Sequence, residues 1–398
     1  MKLLSVEEAR ARMLAAVAPL EAEDVALGKA LGRVLAQDVV AARDQPPFAA
    51  SAMDGWAVRA ADGPGRLRIV GVSAAGHGFA GAVGPGEAVR IFTGAAVPPG
   101  ADAVVIQENA TRNGDHVVIP AVIHPRHVRP PGQDFRAGDR LLAPGTRLDP
   151  WRLSLAAAAG LARVRVSRRP MVAILSTGEE IVEAGGSPGP FQIFNSGTPA
   201  LAALTRTWGG EPLLLAPVGD DAAATARAVA GAACDLIVTV GGASVGDHDL
   251  VKPALARLGL KMIVESVAVR PGKPTWFGVL ADGRLVLGLP GNPASALVCA
   301  ELFLKPLLAR MLGADAALHL VAARAAGAVA ANGAREHWLR ARLTHAPDGT
   351  LRAEPFADQD SSLVSVFAAA DALVRRAAGA PAVKPGEVIE LLPLARLN

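Results

Sequence analysis

The sequence predicts a multidomain α/β protein. It combines a three-layer, mostly parallel α/β domain, an inserted β-rich domain, a helical N-terminal domain and a small C-terminal β-barrel or sandwich. Three observations carry this. The chain has 398 residues, and at roughly 150 residues per domain that argues for two to four domains. From Met171 onward, near-continuous apolar runs alternate with helical stretches, the pattern of a parallel sheet covered on both faces. Between about Arg43 and Gly138, and again after Gly313, short β-like runs are separated by Gly and Pro turns.

Composition narrows the function classes. Hydrophobic residues make up 51% of the chain, which excludes a disordered polymer. No run reaches the roughly 18 apolar residues of a spanning helix, and acids and arginines occupy the place of a signal peptide's apolar core, so a soluble protein without a membrane partner is expected. Forty Lys+Arg against 37 Asp+Glu give a net charge of +3, too balanced for a phosphate-backbone binder. With aromatics at 4% and no Tyr, stacking platforms for nucleic acid are not expected either. Cys234 and Cys299 form no pair motif and read as reduced core residues, consistent with a cytoplasmic setting.

In chain order, Ser5 and Glu8 form a capping box with Leu4 as staple, opening a helix to about Ala18 before Pro19. A second helical stretch is expected over Ala30–Ala41. RLRIVGV, AVRIFTG and DAVVIQE are strands of the inserted domain, and Asp149-Pro150 caps a helix through LSLAAAAGLA. The domain borders are expected at 1–42 with 139–169 (helical), 43–138 (inserted β), 170–313 (α/β) and 314–398 (C-terminal). In the α/β domain, MVAILST, PLLLAPV, LIVTV, KMIVESV, WFGVL and RLVLGLP are strands. Helices are expected after Thr198-Pro199, after Asp220 or Asp221, over HDLVKPALARLG and from Asn292-Pro293. After Gly313 the helices are expected to stop, and Pro347-Asp348-Gly349 marks a turn.

In an open α/β sheet, ligands bind beyond the carboxyl ends of the strands. Three segments there have unusual composition. Gly241-Gly242-Ala243-Ser244-Val245-Gly246-Asp247-His248-Asp249 offers exposed backbone N–H groups, a hydroxyl and an acid. Leu289-Pro290-Gly291-Asn292-Pro293-Ala294-Ser295 is a glycine turn feeding a helix N-terminus, an arrangement that attracts anions. Arg270-Pro271-Gly272-Lys273-Pro274 holds two cations between prolines. Singly, each glycine turn reads first as a structural turn, and Asp249 reads equally as a helix cap. Together they favour an anionic, phosphorylated ligand. Neither a P-loop nor a G-x-G-x-x-G fingerprint is present. Ser176-Thr177-Gly178-Glu179-Glu180 follows the first strand, and its acids are candidates to position Mg²⁺. Ser51–Trp56, Thr93-Gly94 and Gly132-Gln133-Asp134 would alone pass as turns. His124 and His127 have metal-like spacing, but the neighbouring prolines argue against a zinc-binding helix.

These segments, in order SAMDGWA, TGAAVPPGADAVV, GQDFRAGD, STGEEI, GGASVGDHD, RPGKP and GLPGNPAS, resemble the molybdopterin molybdenumtransferase family, to which the E domain of gephyrin also belongs. The resemblance spans essentially the whole chain, including a C-terminal β-barrel. It implies that adenylylated molybdopterin and molybdate give molybdenum cofactor and AMP, assisted by Mg²⁺. It implies a homodimer with the active cleft between the α/β domain of one subunit and the inserted domain of the other. It names as partners the upstream molybdopterin adenylyltransferase and recipient molybdoenzymes.

Carried over by motif, Asp249 would hold Mg²⁺ or act at the anhydride, with Glu180 as a second metal ligand and Gly241, Gly242, Ser244 and Gly246 around phosphate. Arg270, Lys273 and Ser295 would bind molybdate or phosphate, with Pro290, Gly291 and Asn292 shaping that turn. Asp54, Thr93, Asp134 and Glu180 match polar positions of the cleft. Arg335, Arg340 and Ser361 would complete the oxyanion shell. Departures stand at Arg270 for the usual Lys, Ala243 for Val, Trp56 for Tyr or Phe, and Asp360 for Gly. Two other readings are an adenylyltransferase, which would leave some 250 residues without a task, and a non-catalytic scaffold, which has no need of Asp249 or Lys273.

Overall fold

The structure, a computed structural model, describes residues 3–219, 221–241 and 250–394. The chain divides into two compact units, one of residues 1–23, 32–36 and 166–398 and one of residues 24–31 and 37–165.

Helix α1 (Val6–Ala15) opens on the expected capping box. Ser5 Oγ accepts from Glu8 N at 3.1 Å and Glu8 Oε2 accepts from Ser5 N at 2.9 Å. It stops three residues short of Ala18. Ala16 N and Val17 N donate to the Met13 and Leu14 carbonyls, a tightened turn ahead of Pro19, which disfavours helix at the residue before it. Val6, Ala9, Met13 and Val17 are buried in the main core of the first unit, and Leu4 packs against it.

The helix expected over Ala30–Ala41 does not form. Gly32 takes φ +73°, Leu35 bridges to Val166, and Val39–Val40 pair with Arg140–Leu142. The alanine and leucine spacing imitates a helix, but backbone pairing to distant strands wins at the β-branched positions.

The second unit is β-rich, as read from its composition. β1 (Gly55–Val58), β2 (Gly65–Ser73), β3 (Glu87–Ile91), β4 (Ala103–Ile106), β5 (Thr111–Asn113) and β6 (His116–Ile119) form one sheet in the order β4-β1-β3-β2-β6-β5. Helix α2 (Pro150–Ala158) follows, with Asp149 accepting from Arg152 N at 2.8 Å.

In the first unit, β7 (Met171–Ser176), α3 (Gly197–Thr207), β8 (Glu211–Leu214), α4 (Ala222–Gly231), β9 (Leu236–Val240), α5 (Val251–Ala256), β10 (Lys261–Val264), β11 (Val269–Arg270), β12 (Trp276–Val279), β13 (Leu285–Leu289), α6 (Pro293–Cys299) and α7 (Lys305–Met311) succeed one another. The sheet order is β8-β7-β9-β13-β12-β10. Its first four strands are parallel and β12 is antiparallel to both neighbours. Both faces are apolar because alternate residues enter different cores. Val172 and Ile174 join a cluster with α1, α3, α6 and α7, whereas Ala173 and Leu175 join one with α4 and α5. Helix α3 is not capped by Thr198, which lies inside it. Asn195 Oδ1 accepts from Thr198 N at 3.1 Å instead. Helix α4 is capped by Asp221, whose Oδ1 accepts from Ala223 N and Ala224 N.

The C-terminal region comprises β14 (Val321–Ala325), β15 (Glu336–His345), β16 (Leu351–Pro355), α8 (Val364–Ala369), β17 (Ala372–Arg376) and β18 (Val388–Pro393). Pairing runs β15-β16-β14-β18-β17 and returns to β15, closing a five-stranded barrel. Ala, Val, Leu and Ile fill it, side chains small enough for so narrow a ring. The expectation that helices stop after Gly313 fails at α8, whose six residues are too few to leave a periodic signal. No helix among the described residues is long and apolar enough to cross a membrane.

Candidate functional site

Strands β7, β9 and β13 end in one row, since Ser176 pairs with Val240 and Val240 with Leu289. The three turns leaving that row touch. Thr177 N donates to Val240 O at 3.0 Å and Gly241 N to Leu289 O at 3.3 Å. Gly241 has φ +92°, and a β-carbon there would stand 2.6 Å from Thr177 O. A β-carbon on Gly291 would stand 3.4 Å from Gly241 Cα. The two glycines therefore let three backbones converge closely beside the Thr177 side chain. Pro290 is buried, whereas Gly291 and Asn292 are exposed. The carboxylate of exposed Glu180 folds back beside Gly178, where an added β-carbon would meet Glu180 Oε2 at 2.3 Å. Thr177 Oγ1 is buried without a hydrogen-bond partner among the described residues. Gly242, Ser244, Gly246 and Asp249 lie outside the described residues.

The barrel supplies a rim to this floor. Asn292 Nδ2 donates to Ser361 Oγ at 2.9 Å and Ala294 N to Ser361 O at 3.1 Å, tying the turn at Ser361 to the start of α6. Ser295 is buried in the first turn of α6. Arg340 is fully buried. Its Nε donates to Gln359 Oε1 at 3.0 Å and its Nη1 to Asp360 O at 3.0 Å, while Nη2 has no partner among the described residues. Burial pushes the Arg340 pKa below its usual value, against the opposing pull of Asp358 and Asp360. Asp360 turns its carboxylate onto Ser362, accepting from the Ser362 hydroxyl at 2.6 Å and N–H at 2.8 Å. Those bonds hold its pKa below the ordinary carboxylate range. The acid that replaces glycine in this turn is thus occupied locally, and its carbonyl positions Arg340.

Arg270 reaches the same rim through sheet register. β11 pairs in parallel with β15, setting Arg270 beside His337 and Val269 beside Glu336. Arg335 Nη1 donates back to Val269 O at 3.4 Å. Arg270 and Lys273 are exposed and their side chains have no partner among the described residues. Their loop is anchored from beneath. Gly272 takes φ +119°, a β-carbon on it would stand 2.2 Å from Cys299 Sγ, and Thr275 Oγ1 donates to Gly272 O at 2.8 Å. Burial pushes the Cys299 thiol up to about 12, so it stays an uncharged packing group. His337 is held down to about 4, first by burial and then by Arg270, Arg340 and Arg335.

The second unit holds another polar group. Asp54 Oδ1 accepts from Thr93 N at 2.7 Å and Thr93 Oγ1 at 2.8 Å, bonds that keep its pKa below the usual range. Arg90 donates to Gly55 O and Gln107 Oε1, and stacks 4.7 Å from the Phe92 ring centroid and 5.5 Å from that of Trp56. Asp134 is exposed, with its backbone N–H on Gln45 O.

Among residues singled out from sequence, the structure brings together Gly241 and Gly291 at the floor and Asn292 with Ser361 at the rim, and it sets the Glu180 carboxylate beside Gly178. It also groups Arg270, Arg335 and Arg340, and it pairs Asp54 with Thr93. Asp134 has no side-chain partner among the described residues. Sequence reasoning missed His337, Gln359 and Asn195. Only Gln359 had a signal, its place beside the serine turn; His337 and Asn195 gain their meaning from partners in other strands and turns.

Comparison with known proteins accords with this architecture. The family model "MoeA N-terminal region (domain I and II)" matches residues 4–160, "Probable molybdopterin binding domain" matches residues 173–310, and "MoeA C-terminal region (domain IV)" matches residues 322–394. The chain is 39% identical over 305 residues to a molybdopterin molybdenumtransferase of Nostoc sp., covering 74% of this chain and 70% of that protein. It is 36% identical over 318 residues to a molybdopterin molybdenumtransferase of Haemophilus influenzae, covering 78% of each. A crystal structure of the molybdopterin biosynthesis moeA protein from Pyrococcus horikoshii superposes with a TM-score of 0.83 at 32% identity, covering 98% of this chain and 99% of that one. Matched along nearly its whole length in sequence and in fold, the chain belongs to the molybdopterin molybdenumtransferase family, a family of transferases.

Proposed function

We propose that this chain joins molybdenum from molybdate to adenylylated molybdopterin, releasing AMP with the assistance of Mg²⁺, and that it does so as a homodimer. The observation that carries the reading is the close convergence of the turns at Thr177, Gly241 and Gly291 into a glycine-lined floor, rimmed by Ser361 and the arginines. Phosphate and molybdate are both oxyanions. Backbone N–H groups and fixed guanidinium groups recognise such charge without reorganising during the reaction.

In this reading the floor takes the phosphoanhydride, while Arg270, Lys273, Ser295, Arg335, Arg340 and Ser361 hold molybdate or a neighbouring phosphate. Arg340 is suited to this because its Nη2 is desolvated and unspent. Arg270 offers a planar fork where lysine would offer a point charge. Mg²⁺ bound beside phosphates takes one or two carboxylates and fills its shell from substrate and water. Glu180 fits that mode, because its carboxylate lies beside Gly178 in the turn after β7, without a partner among the described residues. No group of three His, Cys, Asp or Glu among the described residues offers an all-protein cage. Glu180 and Asp249 would hold the ion, and when bound it would neutralise charge at the anhydride. The roles of Asp54, Thr93 and Asp134 rest on the motif resemblance, and the four-domain division on the change of pattern along the sequence.

The test is AMP release by purified protein given adenylylated molybdopterin, Mg²⁺ and molybdate. Release that requires molybdate is expected, and Asp249→Ala should abolish it with the fold intact. Consumption of ATP with free molybdopterin would favour the adenylyltransferase reading instead. Ligand binding without turnover would favour a scaffold.

A further inference from the structure

His337 occupies an unusual position for an imidazole. It lies in β15 with Arg270 directly beside it in β11 and Arg376 directly beside it in β17. Residues opposite one another in adjacent strands share a face, as do residues two apart in one strand. Arg270, His337 and Arg376 therefore lie on one face of three strands, and Arg335, just before β15, reaches back to Val269 O of β11. Arg376 is turned away, its Nη2 on Pro381 O. Arg270 has no partner among the described residues, and Arg335 donates only to a carbonyl. The nearest acid in sequence, Glu336, points to the other face, where it accepts from Trp338 Nε1 and Arg375. Asp358 and Asp360 act on Arg340, and α8, packed on the same strand, carries no titratable residue.

We propose that His337 is a proton-coupled positioning residue, neutral in the free enzyme and protonated when a tetrahedral oxyanion enters the arginine cluster, so that oxyanion and proton bind together. The inference rests on the anionic reading of this site given above.

The physical reason is the balance of charge. In the free enzyme burial opposes a positive charge on His337, and the guanidinium groups of Arg270 beside it, of Arg340 on the other face of β15 and of Arg335 add repulsion. A dianion in the cluster reverses the sign of the local potential, and an imidazolium then gains an ion pair and a donor N–H in place of repulsion. No bond to the oxyanion forms or breaks at His337; one solvent proton moves onto its ring. By linkage, whatever raises proton affinity on oxyanion binding raises oxyanion affinity on acidification by the same factor. The oxyanion dissociation constant should therefore tighten, by up to about tenfold per pH unit, between the bound and free titration midpoints of His337.

The test uses the full chain and molybdate alone, between pH 6 and 8, where molybdate remains a dianion. The His337 ring resonance, one of eight histidines, is assigned by its loss in His337→Gln and, independently, in His337→Asn. Saturating molybdate is expected to raise its titration midpoint from about 4 by roughly three units, into the tested range. Wild-type affinity should strengthen toward pH 6, while both variants bind with a flat pH profile. Molybdate binding with an unmoved His337 midpoint, or an equal pH dependence in the variants, would overturn this inference alone. Absence of molybdate binding would overturn the proposed function and this inference together.

Discussion

Arg340 shows how one residue is both hidden and available. Its Nε and Nη1 are spent on Gln359 and Asp360, and its Nη2 is buried without a partner. Arg340→Lys keeps the charge but loses the fork and its bonds to Gln359 and Asp360, so kcat/KM for AMP release is expected to fall on the order of 100-fold with a stability loss of about 1–3 kcal/mol. Gly241→Ala should act differently, by pushing a β-carbon against Thr177 O in a positive-φ turn. Strain of about 1–3 kcal/mol is expected, read as a lower melting temperature together with lost turnover. His337 gives a pH signature. Its folded pKa of about 4 lies below the ordinary imidazole value of about 6.5. Between those values the unfolded chain binds a proton that the folded chain refuses, so stability is whole above pH 6.5 and declines as pH falls toward 4. His337→Gln should flatten that decline in denaturant unfolding followed across the range. The charges of Arg270, Lys273 and Arg340 were legible in the sequence because their motifs are local. The part played by His337 was not, since its neighbour Arg270 arrives by register from another strand.

At the scale of elements, the α/β strands were legible because both faces of β7, β9 and β13 are apolar, leaving few alternatives to a buried parallel sheet. Leu287, fully buried in the main core, is a direct probe. Leu287→Ala is expected to cost about 2–5 kcal/mol in denaturant unfolding; a cost below 1 kcal/mol would contradict its central packing. The caps were equally legible at Ser5, Asp149 and Asp221, where a side-chain oxygen meets free N–H groups. The segment Ala30–Ala41 misled because alanine and leucine carry helix propensity, whereas its Val39–Val40 found partners at Arg140–Leu142 that no local window contains. Thr198 misled in the same manner, its capping role taken by Asn195 three residues earlier.

For the whole molecule, the α/β sheet and the barrel meet at the turn carrying Ser361, where Asn292 and Ala294 are both bound. That junction is where the glycine floor gains its positive rim, and it was foreseen only as a list of motifs. A homodimer is expected, so light scattering should report twice the mass of one chain, and a monomer at micromolar concentration would contradict that proposal. The proposed function turns on oxyanion capture at the floor and its rim. Anomalous scattering from a crystal soaked in molybdate tests this most directly. A molybdenum peak is expected with an oxygen about 3 Å from Arg340 Nη2, in the cluster shared with Arg270 and Ser361. A peak elsewhere on the chain, or none at saturating molybdate, would contradict it.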